Sequence, residues 1–399
     1  LGVFETFSLP VIVYHHVNNL GEDITENEFE DQISFMSESG YRCIFIKEWI
    51  SGNIIPDRKT IAITFDDGFL DNWVYAYPIL KKFGIKATIF VSTVRPMEDL
   101  GVRFNLEDVW SNRCTRDDLP KITPDREANH KCVYKETGSP DFLTWSEMRD
   151  MEQSGVIDIQ SHSHYHRDFY ISNQIVDFNQ NNYFGVGWAT DGDTRMGIPL
   201  YRRKSAMMAR RYFDDKGLRD YLANFVVESN LLVQNYNKKQ IYNRLMKVVR
   251  RYKEENITKD YFESQEKQIF RIKSELVHSK KMIEKELAKK CTIICWPWGE
   301  YSSLSISLAK EVGYEGAVSF IQGSNIYGTE KGKWHIRRYP PAHDINIFKR
   351  ELHFYSIPLV ANHLKSIYVM NTYKKKFRRR LHDGQLLKSI KRKLFTRSL

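Results

Sequence analysis

The chemistry this chain could perform sits in two short stretches about a hundred residues apart. An apolar run, Ile61-Ala62-Ile63, continues into Thr64-Phe65 and stops in two adjacent acids and a glycine, Asp66-Asp67-Gly68. A strand that ends in two carboxylates places them on a rim, and the break at Gly68 lets both turn toward one pocket although successive strand side chains point to opposite faces. On its own an Asp-Asp-Gly triplet also reads as a simple turn. The second stretch follows another strand-like run, Ile157-Asp158-Ile159-Gln160, and reads Ser161-His162-Ser163-His164-Tyr165-His166, with three histidines in five positions. Neutral imidazole is the commonest protein ligand for zinc and similar ions. Two histidines and one carboxylate leave a coordination position open for water, as in a catalytic metal site, and Asp67 is a candidate for that carboxylate.

Thr-Phe-Asp-Asp-Gly followed by His-Ser-x-x-His resembles the first two motifs of the polysaccharide deacetylases of carbohydrate esterase family 4. The resemblance implies Asp66 as general base, Asp67, His162 and His166 as metal ligands, and His164 as a neighbour outside the motif. Trp296-Pro297-Trp298-Gly299-Glu300-Tyr301 is similar to the family's Pro-Tyr-Gly segment lining the substrate groove, which implies substrate-binding roles for Pro297, Trp298 and Gly299, with the Trp298 N–H directed at the oxyanion. The opening Leu9-Pro10-Val11-Ile12-Val13-Tyr14-His15-His16-Val17 resembles the poly-N-acetylglucosamine deacetylase-like subgroup, which implies His15 as the general acid. The chain departs from that pattern at two positions: the family carries Arg two places before the Pro and Tyr after it, where this chain has Cys295 and Trp298. Arg337 or Arg338 is the candidate replacement that orients Asp66, with Arg338 favoured and a surface salt bridge as the competing reading.

The elements that must position these groups follow from patterning. Thr25-Glu26-Asn27-Glu28 and Thr144-Trp145-Ser146-Glu147 read as capping boxes opening helices. Trp145 is a candidate to approach the pocket, against the plainer reading that it packs. Residues 43–46 read as a strand. A helix over 71–83 followed by a strand over 87–91 makes a βαβ unit, hence an α/β fold with a parallel sheet. Acids at a strand's C-terminal end suit that class. The resemblance extends this to a distorted (β/α) barrel of the polysaccharide deacetylase type with a helical insertion. We expect the barrel over 1–350, interrupted by a loop or lid at about 95–141 and by a loop plus helical subdomain at about 173–290, and a C-terminal extension over 351–399.

The 399 residues, 42% apolar and 13% aromatic, suffice for one large core with insertions. Five cysteines, Cys43, Cys114, Cys132, Cys291 and Cys295, form no closely spaced even framework, which favours a reducing compartment. A continuous apolar leader is not visible, so the expectation is cytoplasmic. A start at Leu1 rather than Met keeps open a removed leader and an extracytoplasmic site. The formal net charge of +10 is concentrated in 371–399, where eleven Lys or Arg face Asp383 alone, interleaved with apolar residues such as Phe377, Leu381 and Leu387. Such a segment suits the surface of an anionic membrane better than nucleic acid, a solvated tail being the plain alternative.

The expected activity is metal-dependent hydrolytic removal of acetate from an N-acetylated sugar in a poly-, oligo- or lipid-linked saccharide. The cofactor is one divalent metal, with zinc the default and cobalt, nickel, manganese or iron compatible with the same ligands. The alternatives are an O-deacetylase or a non-sugar amidohydrolase on the same site, and a carbohydrate-binding protein without turnover.

Overall fold

The computed structural model describes residues 7–54, 56–97, 101–129, 138–180, 188–231 and 236–366. The basic segment 371–399 and Cys132 lie outside the described residues. The strands in chain order are β1 (Val11–Tyr14), β2 (Arg42–Cys43), β3 (Thr60–Phe65), β4 (Ala87–Val91), β5 (Ile157–Ser161), β6 (Asp168–Phe178), β7 (Pro199–Ser205), β8 (Tyr212–Phe213), β9 (Tyr261–Phe262), β10 (Ile293–Cys295) and β11 (Gly316–Val318).

Seven of them form one parallel sheet in the order β1-β3-β4-β5-β10-β11, with β2 also paired to β3. The sheet curls into an incomplete barrel. Past β11 the chain makes isolated parallel bridges from Ile336 to Val318 and from Tyr339 to Ile12, so the 336–339 segment leans between the two sheet edges. Both faces of the sheet are covered, so β1, β3 and β4 are buried along their whole length, and β5 carries the polar Asp158 and Gln160 in equally buried positions. Neighbouring residues divide between two packed layers. Val11, Ala62, Phe90, Ile293, Val318 and Ile336 form one cluster, whereas Ile12, Ile63, Ile89, Ile159 and Ile294 join the larger one beneath the helices.

The weakest joint is between β5 and β10, which share a single residue pair, Ile294 with Ser161. There a side chain replaces the missing ladder. The buried Gln160 Oε1 accepts from the N–H groups of Thr292 and Ile293, each at 3.0 Å.

Both expected capping boxes are present, Thr25 with Glu28 and Thr144 with Glu147. The expected strand over 43–46 is corrected. The sheet keeps only Arg42–Cys43, and the chain turns into a helix, Ile46–Ser51, because Glu48 reaches back to the Phe45 N–H at 2.7 Å. The expected 71–83 helix begins as a π turn, Asn72–Ala76, before Tyr77–Phe83. The 95–141 stretch contains a short helix, Leu106–Trp110, and a 3-10 turn, Arg116–Asp118.

Within the larger insertion β6 and β7 form an antiparallel hairpin, and β8 pairs with β9. Helices Lys216–Glu228 and Lys238–Glu255 bury Leu218, Leu222, Val226, Ile241 and Leu245 against Phe178 in a cluster of their own. The long helix Gln265–Leu287 instead returns Ile272, Leu276 and Ile283 to the main core. Among the described residues no helix is long and apolar enough to cross a membrane.

Candidate active site

Strand register delivers the site. Tyr14 pairs with Phe65 at the ends of β1 and β3, so the next residues, His15 and Asp66, emerge side by side, and the Asp66 N–H donates to the Tyr14 carbonyl at 3.0 Å. Val91 pairs with Ser161 at the ends of β4 and β5, and His162 follows, its N–H donating to the Val91 carbonyl at 2.9 Å. Asp66, Asp67, His162, His166 and His15 thus come together at the C-terminal rim of the sheet, where parallel α/β architectures place their sites.

The turns past the strands are conformationally demanding. Asp67 (φ 71°), Ser163 (φ 67°), His166 (φ 53°) and Trp298 (φ 56°) all have left-handed backbones although none is glycine. Each such residue costs on the order of 1 kcal/mol or more, and this kind of strain concentrates at functional sites. Glycine is required just beside two of them. A Cβ on Gly68 would come within 2.9 Å of Val91 Cγ1, and one on Gly299 within 2.4 Å of the Phe320 nitrogen.

Asp67, His162 and His166 are drawn together with one donor atom from each within 4.8 Å of the others. The Asp67 Oδ1 lies 3.8 Å from His162 Nε2 and 3.5 Å from His166 Nε2. The His162 Nδ1 is 2.9 Å from the Cys295 carbonyl, which takes an N–H there and leaves Nε2 as the lone-pair donor. Burial holds His162 below its ordinary range and His166 down to about 3, against the pull of the nearby aspartates, so both imidazoles are neutral and suited to a cation. The residues present therefore fit a divalent metal.

Asp66 is held apart from this trio by Arg338. The fully buried guanidinium places Nη1 at 2.6 Å from Oδ1 and Nη2 at 2.7 Å from Oδ2, a two-pronged clamp. Its remaining contacts are the Ser319 carbonyl from Nε, Thr64 Oγ1 from Nη1 and Cys295 Sγ at 3.0 Å from Nη2. Burial pushes the Asp66 carboxyl up, but the Arg338 charge outweighs it and holds the carboxyl at about 2, so Asp66 is ionised at neutral pH. Of the two candidate arginines it is thus Arg338 that contacts Asp66, with the Cys295 sulfur against the same guanidinium. Asp66, His162 and Cys295 also approach closely enough to suggest a second metal cluster. Two features argue against that use: Arg338 occupies both Asp66 oxygens, and burial keeps the Cys295 thiol protonated.

His15 is 38% exposed, with Nε2 3.9 Å from Asp66 Oδ2, and its backbone N–H is fixed by Asp23 at 2.7 Å. The neighbouring His16 turns into the interior against Asp71 at 2.8 Å. His164 faces away from the trio, its Nδ1 2.8 Å from Thr93 Oγ1. Pro297, Trp298 and Gly299 form a 3-10 turn just past β10. The Trp298 ring, 44% exposed, packs 4.3 Å from that of His166. Trp145 does not reach the site: at 3% exposed it packs in the main core, the outcome expected for a large ring in the first turn of a buried helix. Arg337 does not orient Asp66 either, since its Nη1 donates to the Ser324 carbonyl at 3.1 Å.

Three residues that pattern reading passed over support the site. Arg95, buried just beyond β4, places Nη1 2.7 Å from Asp67 Oδ1 and helps hold that carboxyl well below its ordinary range despite burial. Glu275, on the helix Gln265–Leu287, accepts from the N–H groups of His164 and Tyr165, each at 3.1 Å, and so braces the histidine turn. Trp188 stands 6.4 Å from the His166 ring and 6.5 Å from that of Trp298. Beside Trp298 an open cleft of about 420 Å³ is lined by Asp168, Arg203, Lys204, Ser205 and Glu300.

A curled parallel sheet with two histidines and an aspartate at its rim, and a second aspartate clamped by arginine, defines a metallohydrolase-type centre. Over residues 54–182, which include Asp66, Asp67, His162 and His166 but not His15, the chain matches the family model described as polysaccharide deacetylase. It is 38% identical over 87 residues to YxkH of Bacillus subtilis (strain 168), a protein named for the same family. That match covers 21% of this chain and 31% of the relative, under a third of its length. Among solved structures, a de-N-acetylase from Aggregatibacter actinomycetemcomitans aligns over 86% of this chain and 99% of that one, with 17% identity and a TM-score of 0.50, a likeness of fold. IcaB from Ammonifex degensii aligns over 88% of this chain and 97% of that one, with 13% identity and a TM-score of 0.49.

Proposed function

We propose that the chain is a metal-dependent hydrolase that removes acetate from an N-acetylated sugar carried on a poly-, oligo- or lipid-linked saccharide. The observation that carries this reading is the pairing of two different carboxylate environments on one turn. Asp67 faces two neutral imidazoles and meets Arg95 through Oδ1, while Asp66, one residue earlier, has both oxygens held by Arg338 and lies beside the half-buried His15. A divalent cation held by Asp67, His162 and His166 supplies Lewis acidity and a water made acidic enough to react at neutral pH; zinc is the ion such ligands suit by default.

Asp66, kept ionised by Arg338, accepts a proton from the attacking water. The Trp298 N–H, presented by the left-handed turn after Pro297, hydrogen-bonds the carbonyl oxygen as negative charge develops on it. His15 donates a proton to the amide nitrogen, without which the amine is a poor leaving group. Water adds to the acetyl carbon, the C–N bond breaks, and acetate and the free amino sugar result. The cleft beside Trp298, with an aromatic face and paired charges, suits the neighbouring units of a saccharide. The basic segment 371–399 is proposed to meet an anionic membrane surface, where a lipid-linked or membrane-assembled glycan is found.

The roles separate by variant. Asp66→Asn should abolish acetate release from N-acetylglucosamine oligomers while keeping bound metal. Asp67→Ala, His162→Ala and His166→Ala should each lose both, and His164→Ala should keep its metal. An Asp66→Asn protein that folds but binds no metal overturns the division of labour. His15→Ala should lose far more turnover on an acetamide than on an activated aryl acetate, whose leaving group needs no proton; equal losses would make His15 structural.

A further inference from the structure

Adjacent arginines part company past β11. Arg338 is spent on Asp66, whereas Arg337 lines a separate cleft of about 450 Å³ together with Lys365, His335, Tyr301, Asn325 and Asn362. The arrangement around Arg337 is built rather than incidental. Its backbone N–H donates to Asn325 Oδ1 at 2.8 Å, its carbonyl accepts from Asn325 Nδ2 at 2.8 Å, and its Nη1 rests on the Ser324 carbonyl. Gly323 (φ 139°) makes the room, since a Cβ there would lie 3.1 Å from Nη1. Close by, Asn362 Oδ1 accepts from both the N–H and the hydroxyl of Ser324, which leaves the amide nitrogen of Asn362 as its remaining donor.

The charge balance of this cleft differs from that of the catalytic rim. Arg338 is matched by Asp66, and Arg95 by Asp67. The cleft has two cations, Arg337 and Lys365, and its other described lining residues are neutral alcohols, amides, aliphatics, glycine and one histidine, with no acid among them. Neither cation makes an ion pair among the described residues. They are close enough that burial and the Arg337 charge together push the Lys365 ammonium below its ordinary range. Two like charges sharing a polar cleft repel each other unless an anion lies between them.

We infer that this cleft is a second binding site, one that takes the phosphoryl group of a phosphate ester. A guanidinium and an ammonium lining one cleft, with the Asn362 amide nitrogen as a further donor, match a tetrahedral dianion whose oxygens point in several directions. The cleft is larger than phosphate alone needs, so it has room for the group that the phosphate carries. The cleft shares Ser319 with the surroundings of Arg338, but Asp66, Asp67, His162 and His166 are not among its lining residues, and the inference does not depend on the activity proposed for them.

The test uses the full-length chain at low ionic strength, with inorganic pyrophosphate and glucose 1-phosphate as soluble probes and phosphatidylcholine vesicles with and without phosphatidic acid as the lipid arm. The double variant Arg337→Gln/Lys365→Gln should weaken binding about tenfold or more in at least one arm, about 1.4 kcal/mol, with metal content and acetate release unchanged. A charge-matched control in the basic tail, Lys374→Gln/Lys375→Gln, should not weaken the soluble probes. Loss confined to the soluble probes assigns a phosphorylated small molecule, and loss confined to the vesicles assigns a lipid phosphate. Wild-type protein that binds neither kind of probe, or a cleft variant that binds both as tightly as wild type, or a tail control that loses the soluble probes equally, overturns the inference.

Discussion

At the scale of residues, the site depends on which partner each charged group receives. Asp66 and Asp67 are neighbours in sequence with one intrinsic chemistry, and Arg338 on one side and two imidazoles on the other set them apart. His15 and His16 divide in the same way. Burial alone would depress the His16 pKa, but its hydrogen bond to Asp71 and the charges of Asp71 and Glu22 prevail and raise it to about 9. The unfolded chain has an ordinary histidine, near 6.5. The folded value lies above the unfolded one, so the stabilisation is fully present below about pH 6.5 and is lost as pH rises through about 9. Wild-type protein should therefore lose on the order of 2–3 kcal/mol of stability across that window. Urea unfolding at a series of pH values checks this, and His16→Gln should flatten the curve. A variant whose curve parallels wild type would mean that the His16–Asp71 pair is not linked to folding. The aspartates and histidines were legible in sequence because each cluster is contiguous, and Arg338 because the position held by Cys295 called for a replacement. Arg95 was not, since its contact with Asp67 spans 28 residues and no spacing rule marks a lone arginine after a strand.

At the scale of elements, two side chains do work usually left to backbone. Gln160 completes the β5–β10 joint, and its loss in Gln160→Ala would leave the N–H groups of Thr292 and Ile293 without their partner. Each orphaned buried donor costs about 1–3 kcal/mol, so the variant should unfold roughly 2–4 kcal/mol more easily at unchanged m-value. A loss under about half a kcal/mol would mean that other groups take over. Glu275 reaches the histidine turn from a helix 111 residues away in sequence. Glu275→Ala should weaken metal affinity about tenfold, in the range typical of groups that orient ligands, as read by competition with a fluorescent chelator on folded protein. Unchanged affinity would reduce Glu275 to packing. Capping boxes at Thr25 and Thr144 made their helices readable, and the overlooked reach of Glu48 to Phe45 is why residues 43–46 looked like a strand. Which face of a helix turns inward was not readable, and Trp145 shows it: its place at the start of a helix was plain, but its burial depends on the sheet beneath.

At the scale of the whole molecule, a parallel barrel supplies a rim, and the insertion contributes both a separate apolar cluster and, through Gln265–Leu287, a wall of the main core. The basic tail adds all of the formal net charge. Deleting residues 371–399 should leave turnover on a soluble oligosaccharide intact and remove salt-sensitive sedimentation with anionic vesicles; undiminished sedimentation would assign membrane binding elsewhere. The central claim is that Asp67, His162 and His166 hold a divalent ion on which the hydrolysis of an N-acetyl group depends. Its most direct test strips the full-length protein with a chelator, restores divalent ions one at a time, and measures bound metal and acetate released from N-acetylglucosamine oligomers on the same samples. The account predicts one ion per chain, with acetate release absent from the stripped protein and returning in proportion to occupancy; full turnover by protein shown to be metal-free would contradict it.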